Sequence, residues 1–221
     1  MIVVIEGVDA AGKQTQAKRL AEALRTRGLN VGELSFPNYQ TETGALIKKI
    51  LRQERWLGAC EEFADVAGLR HDQALVLQVL MTSNRYESFR TLALWKWATA
   101  VQPNHSTPTG ILVLDRYWAS GYAYGTADGI DPNWLLDIHR ALPQPDLTVL
   151  CDITVEESFR RRPVREDAYE ASRGRLELAR QGYHRLVTLD PDHWLVTDPN
   201  GTADSVHAQI MERVSLLIGG Q

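Results

Sequence analysis

Apolar residues in this chain follow two rhythms. A short, β-branched, fully apolar run occurs at 2–5 (Ile2-Val3-Val4-Ile5), and the segments 31–36, 111–114, 147–153 and 194–197 look similar. Runs without alternation predict strands buried on both faces, as in parallel sheets. Between them, apolar residues recur every three or four positions, which predicts helices over 15–27, 44–53, 73–100, 132–141, 155–162, 171–189 and 203–218. Leu20 and Leu24 supply such a face early in the chain, and Val206, Ile210, Val214 and Leu217 supply one near its end. Strands alternating with helices imply right-handed βαβ crossovers and a parallel sheet covered by helices on both sides. The polar stretch 52–72 reads as loop plus short helix. No repeat or low-complexity linker interrupts the pattern, so one α/β domain over 1–221 is expected.

Composition narrows the function classes. With 44% hydrophobic and 24% charged residues, the chain has a globular balance, which excludes a disordered or fibrous one. Lys+Arg 24 against Asp+Glu 28 leaves a net charge of −4. That balance argues against nucleic-acid binding, which needs a basic face. Cys60 and Cys151 form no CxxC pair, so neither a disulfide framework nor a thiolate zinc site is indicated. No apolar run reaches the roughly 18 residues of a membrane span, and the opening MIVVIEG lacks the charged leader of a signal peptide. A cytoplasmic protein with no membrane or nucleic-acid partner is expected.

Candidate chemistry begins directly after the first strand. Gly7-Val8-Asp9-Ala10-Ala11-Gly12-Lys13-Gln14-Thr15 fits G-x-x-x-x-G-K up to the last position, where Gln14 replaces Ser or Thr. Gly7 and Gly12 allow torsions that turn successive N–H groups inward as an anion nest, and the following helix adds its positive end. Lys13 supplies a cation to the β and γ phosphates of a nucleotide. The strand-then-helix context that separates a phosphate loop from a glycine turn with a solvated lysine is present. Gln14 has a hard carbonyl oxygen that can ligate Mg²⁺ directly, or the ion keeps an extra water there.

These residues, with five motifs further along, resemble the thymidylate kinase family, P-loop enzymes that phosphorylate dTMP to dTDP with ATP. EGVDAAGKQTQ resembles its phosphate loop, and FPNYQTETG, with Phe36, Pro37, Tyr39 and Gly44, its FP segment. SNRYE at 83–87 resembles its NRYE-like helix motif, DRYWASGYAY at 115–124 its signature, and LPQPD at 142–146 its LPxPD turn. RRRPVREDAYE at 160–170 resembles its lid. The resemblance runs through almost the whole chain. It implies a five-stranded parallel sheet flanked by helices, of the nucleoside monophosphate kinase type, with a short lid, and a cytoplasmic homodimer using Mg²⁺ and ATP.

By the same resemblance, Gly7, Ala10, Ala11, Gly12, Lys13, Gln14 and Thr15 bind ATP, with Arg161 stacking on adenine. Asp9, Phe36, Pro37, Leu51, Met81, Arg85, Arg116, Ser120, Gly121, Tyr124 and Tyr169 bind dTMP. Asp9 lies near the acceptor sugar and the phosphate-binding arginine, and Arg85 reaches the pyrimidine carbonyl. Tyr124 and Tyr169 pack against deoxyribose and base, where a ring over C2′ disfavours a 2′-hydroxyl. Lys13, Asp9, Arg116 and Arg165 form the catalytic set. Asp115 ends an apolar strand, where it holds the water shell of Mg²⁺ or caps the following helix. Arg116 beside it suits bidentate contact to the acceptor phosphate. Arg85 on its helix is a base contact or a solvated charge, and Phe36 and Pro37 are substrate contacts or strand-end packing.

Arg160, Arg161, Arg162 and Arg165 concentrate positive charge within six positions of an acidic chain. The family supplies a transition-state cation from the phosphate loop or from the lid. Ala10 leaves that role to the lid, with Arg165 as the candidate. Such an arginine is worth about 10³–10⁵ in rate. The chain departs from the family at Met81, where a Phe usually stacks on thymine, at Gly125 for Gln, and at Ala168 for a lid Arg. Acceptors other than dTMP, such as a 5-substituted dUMP, therefore remain open. A deoxynucleoside kinase and a non-catalytic nucleotide-binding module are the further alternatives.

Overall fold

The computed structural model describes residues 1–51, 67–88, 91–93, 110–164 and 172–219. Five parallel strands, β1 (Ile2–Glu6), β2 (Val31–Ser35), β3 (Ile111–Asp115), β4 (Leu147–Leu150) and β5 (Trp194–Val196), form one sheet in the order β2-β3-β1-β4-β5. Val3 of the central strand pairs with Val113 on one side and Leu147 on the other. The connection after β3 passes over β1 to the other half of the sheet, which creates a crevice at the carboxyl edge beside β1, the usual ligand position in open α/β sheets.

Helices α1 (Lys13–Thr26), α2 (Glu42–Leu51), α3 (Ala67–Glu87), α4 (Trp118–Ala127), α5 (Pro132–His139), α6 (Val155–Arg161), α7 (Arg173–Leu189) and α8 (Ala203–Gly219) cover the sheet. Successive strand residues point to opposite faces. Val3, Ile5, Ile111, Val113, Leu147 and Val149 pack with Leu20 and Leu24 of α1 and Ile210 and Val214 of α8. Ile2, Val4, Leu112 and Leu114 pack with Phe36, Tyr117 and Leu142 on the other face. Each fully buried aliphatic side chain contributes about 1.5–3 kcal/mol relative to exposure, so the predicted continuous apolar strands are what close both layers.

Two sequence expectations change. The stretch read as loop plus short helix ends in α3, which starts at Ala67 rather than at 73 and runs to Glu87; residues 94–100 of the expected helix lie outside the described residues. The pattern also gave no helix after β3, where α4 stands. Ala119, Ser120, Gly121, Tyr122, Ala123 and Gly125 of α4 are all buried, so it has no polar face to set a helical period. It packs closely on α7: a Cβ on Gly182 would stand 2.8 Å from Ala123 Cα.

Candidate active site

Residues 7–12 join β1 to α1. Gly7, Ala10 and Gly12 have positive φ, at 142°, 60° and 87°. A Cβ on Gly7 would come within 2.5 Å of the Cys151 carbonyl oxygen, so only glycine lets the loop pass this close to the end of β4. Gly12 is the N-cap of α1, whose first turn has no acidic residue, which leaves its positive end for an anion. Lys13 is buried, and its Nζ donates to the Val8 carbonyl at 2.7 Å. Ala11 is buried, and Gln14 and Thr15 are exposed on the first turn of α1.

α6 docks on the same loop. Ser158 Oγ donates to the Asp9 carbonyl at 2.7 Å, and Arg161 Nη1 donates to the Ala10 carbonyl at 3.4 Å. Arg162 Nη1 lies 3.8 Å from Asp9 Oδ1. Arg160 and Arg161 both pair with Glu157, and these hydrogen bonds hold its carboxyl down at about 2. Two of the four predicted lid arginines, Arg161 and Arg162, thus contact the phosphate loop, and Arg160 pairs with Glu157 on the same helix. Arg165, Ala168 and Tyr169 lie outside the described residues.

A cavity of about 120 Å³ opens where β2 and β3 end. It brings together Phe36, Pro37, Leu51, Met81, Arg85, Arg116, Ser120, Gly121 and Tyr124, and adds Tyr39 of the FP segment, which was not among the candidate site residues, with Leu77 and Gln78, which the sequence did not single out. Asp9 is not in this lining and belongs to the loop beside Arg162. The Phe36–Pro37 bond is cis. Phe36 lines the cavity and packs on Tyr117 with ring centroids 5.7 Å apart. Asn84 ties this wall to α3: its Oδ1 accepts from Asn38 N at 2.7 Å, and its Nδ2 donates to Thr41 Oγ1 at 2.7 Å.

Arg116 joins cavity and loop. Its Nη1 donates to the Gly7 carbonyl at 3.3 Å and its guanidinium lies 5.8 Å from the Tyr124 ring centroid. With φ 65°, Arg116 and Ala10 are the non-glycine residues of positive φ among those described, and both sit here. The preceding Asp115 has a buried Oδ1 with no hydrogen-bond partner among the described residues. The N-cap of α4 is Tyr117, so Asp115 does not cap that helix. Among the described residues no three His, Cys, Asp or Glu cluster as a metal centre. A single carboxylate with an unsatisfied oxygen fits Mg²⁺ held through water and substrate phosphates.

Glu6, at the end of β1, was not selected from the sequence. It is fully buried, and its Oε1 accepts from Tyr117 N at 2.7 Å and Ser120 N at 3.1 Å. Its Oε2 accepts from Ser120 Oγ at 2.6 Å and Tyr183 OH at 3.1 Å. A distant carboxylate thereby caps the first turn of α4 and fixes Ser120. Burial pushes its pKa up, while Ser120, Arg116 and the Tyr117 amide pull the other way. The available signal was one carboxylate closing the otherwise apolar strand IVVIE.

Arg85 is 3% exposed, which removes the reading of a solvated surface charge. Burial lowers its pKa to about 10, with Glu6 opposing. Its Nη1 lies 3.2 Å from His139 Nε2, and its Nε is buried without a partner among the described residues.

Residues 5–210 match the family described as Thymidylate kinase. The chain is 30% identical to a probable thymidylate kinase of Thermococcus kodakarensis, over 99% of each chain. It is 29% identical to the thymidylate kinase of Homo sapiens, over 95% of this chain and 87% of that one. A solved thymidylate kinase structure from Candida albicans superposes with a TM-score of 0.75 at 24% identity, covering 100% of this chain and 93% of the other, and shares the fold.

Proposed function

The chain belongs to the thymidylate kinase family, and from that premise we propose how its residues carry out the family reaction, phosphoryl transfer from Mg·ATP to dTMP giving dTDP and ADP. The observation that carries the assignment of roles is Arg116, which lines the acceptor cavity and donates to the Gly7 carbonyl of the phosphate loop. One guanidinium there spans the junction between acceptor and donor.

In this reading the amides of residues 7–15 and Lys13 hold the donor phosphates. Lys13 exchanges its bond to the Val8 carbonyl for phosphate oxygens. Gln14 and Thr15 stand on the first helical turn within the ATP set, and Arg161 covers adenine by cation–π contact. Asp115 would hold Mg²⁺, with Gln14 as the residue whose carbonyl could join it, and a bound ion would supply charge neutralisation at the donor phosphates. Support for Asp115 is its unsatisfied buried oxygen. Arg116 clamps the acceptor phosphate, Arg85 meets the pyrimidine, Tyr124 packs on the deoxyribose, and Asp9 lies at the sugar side of the loop.

The nucleophile is an acceptor phosphate oxygen, already ionised at neutral pH, so no general base is needed. Catalysis is then positioning plus charge neutralisation. With Ala10 in the loop, Arg165 of the lid at 160–170 supplies the transition-state cation, and Tyr169 shares the contact to deoxyribose and base. Closure of the lid excludes water, which would otherwise hydrolyse ATP. We place the activity in a single cytoplasmic domain acting as a homodimer, without nucleic-acid or membrane partners. No helix among the described residues is long and apolar enough to cross a membrane.

A second acceptor, a 5-substituted dUMP, is favoured by Met81 in the cavity wall, because a flexible thioether adapts to ring substituents better than a Phe face. Pro37, Asn38 and Tyr39 after Phe36 offer no carboxylate base for a sugar hydroxyl, which counts against a deoxynucleoside kinase. A steady-state screen of dTMP, dUMP, 5-substituted dUMP, dCMP and purine monophosphates tests the proposal. It expects dTMP or its 5-substituted relatives to give the highest kcat/KM, and a preference for dCMP or a purine would overturn it.

A further inference from the structure

His139, the last residue of α5, is 2% exposed. Its Nδ1 lies 2.6 Å from the Leu135 carbonyl oxygen. That oxygen only accepts, so the ring proton sits on Nδ1 and Nε2 carries a lone pair. Two groups face the lone pair: Thr82 Oγ1 at 3.1 Å and Arg85 Nη1 at 3.2 Å. Thr82 has one hydroxyl proton and donates it to the Gln78 carbonyl at 2.8 Å. The guanidinium N–H of Arg85 is therefore the donor to His139. Burial, with Arg85 adding to it, lowers the imidazole pKa to about 3, which keeps the ring an acceptor.

Space for this pair is built into α4. A Cβ on Gly121 would stand 2.9 Å from His139 Cε1 and 3.1 Å from Arg85 Nη1, so a side chain there would push the two groups apart. Arg85 is itself a wall of the acceptor cavity, and with Nη1 engaged, its Nε–H remains buried and unpartnered. An unpaired buried donor is costly, a penalty that a ligand carbonyl relieves.

We propose that His139 is a positioning residue for the acceptor base: its Nε2 fixes one end of the Arg85 guanidinium, so that the free donor edge meets a carbonyl oxygen of the pyrimidine. The inference rests on the reading of this cavity as the dTMP site. Arg85 is held from behind by an acceptor with a defined proton position, and it arrives at the substrate as a donor of fixed orientation. A guanidinium has no acceptor, so the arrangement suits a keto group and opposes an amino group at the same place.

The test compares His139→Phe and His139→Gln with wild type in steady-state turnover, with KM measured separately for dTMP and ATP. Gln offers a carbonyl oxygen near the position of Nε2. H139F should raise KM for dTMP about tenfold or more, with kcat and KM for ATP changed less than about twofold. H139Q should recover KM for dTMP to within about threefold of wild type. Equal effects of H139F and H139Q on KM for dTMP and for ATP would reduce His139 to a packing role and overturn the inference. Nitrogen-15 NMR of the wild-type imidazole supplies an independent readout: a protonated Nδ1 with unprotonated Nε2 at pH 7 is expected, and the opposite tautomer overturns it. Wild type that left dTMP unphosphorylated would overturn the cavity reading and this inference with it; wild-type turnover with H139F unaltered would overturn the inference alone.

Discussion

Arg116 Nη1 donates to the Gly7 carbonyl at 3.3 Å, tying the residue after β3 to the first glycine of the phosphate loop. Its position depends on a left-handed backbone at φ 65° and on Glu6, which fixes the turn that follows. A lysine keeps the charge but not the planar fork. Arg116→Lys should lower kcat/KM for dTMP by about 10²-fold or more, with the KM for ATP little changed. An effect below about threefold would remove Arg116 from acceptor binding.

Arg165→Ala tests the lid chemistry. A cation that acts on charge developing in transfer should lower kcat by about 10³-fold while leaving KM for dTMP within a few-fold. Equal loss in both would assign Arg165 to ground-state binding.

Close packing of α4 on α7 ranks two substitutions by stability. Gly182→Ala places a methyl 2.8 Å from Ala123 Cα, a backbone atom that cannot turn away. It should cost about 1–3 kcal/mol, lowering Tm by about 2–4 °C per kcal/mol for a chain of this size. Gly125→Ala meets the Leu135 methyls at 2.7 Å, the ends of a flexible side chain, and should cost less. Thermal unfolding of both variants checks the order, and the reverse order would contradict the packing.

His139 gives the fold a pH dependence of definite sign. Its folded pKa is about 3, below the ordinary 6.5, so folding favours the neutral ring. The stability this contributes is complete above about 6.5 and is lost as pH falls toward 3, by up to about 1.4 kcal/mol per pH unit. Denaturant unfolding between pH 7 and 4 should show a shallower fall for H139Q than for wild type. Parallel curves would contradict a buried neutral imidazole.

Much of this architecture was legible as pattern. The continuous apolar runs marked β1, β3 and β4, because both faces of the inner sheet are covered, and G-x-x-x-x-G-K marked the loop, because its torsions need glycine at Gly7 and Gly12. What escaped was whatever depends on tertiary neighbours. α4 has no amphipathic stripe, since it is buried nearly all round. Glu6 reaches Tyr117 and Ser120 from more than a hundred residues away, and His139 reaches Arg85 across 54 positions. Neither spacing carries a local period. Their roles follow from the strand order, which brings β1, β3 and the helices after them to one edge.

The central claim, that the loop and the Arg116 cavity act together on ATP and dTMP, is tested most directly by incubating the purified protein with Mg·ATP and dTMP and quantifying dTDP and ADP, beside Lys13→Ala. Stoichiometric dTDP and ADP from wild type are expected, with turnover abolished in Lys13→Ala at an unchanged circular-dichroism spectrum. ADP formed without dTDP, or a Lys13→Ala protein as active as wild type, would contradict it.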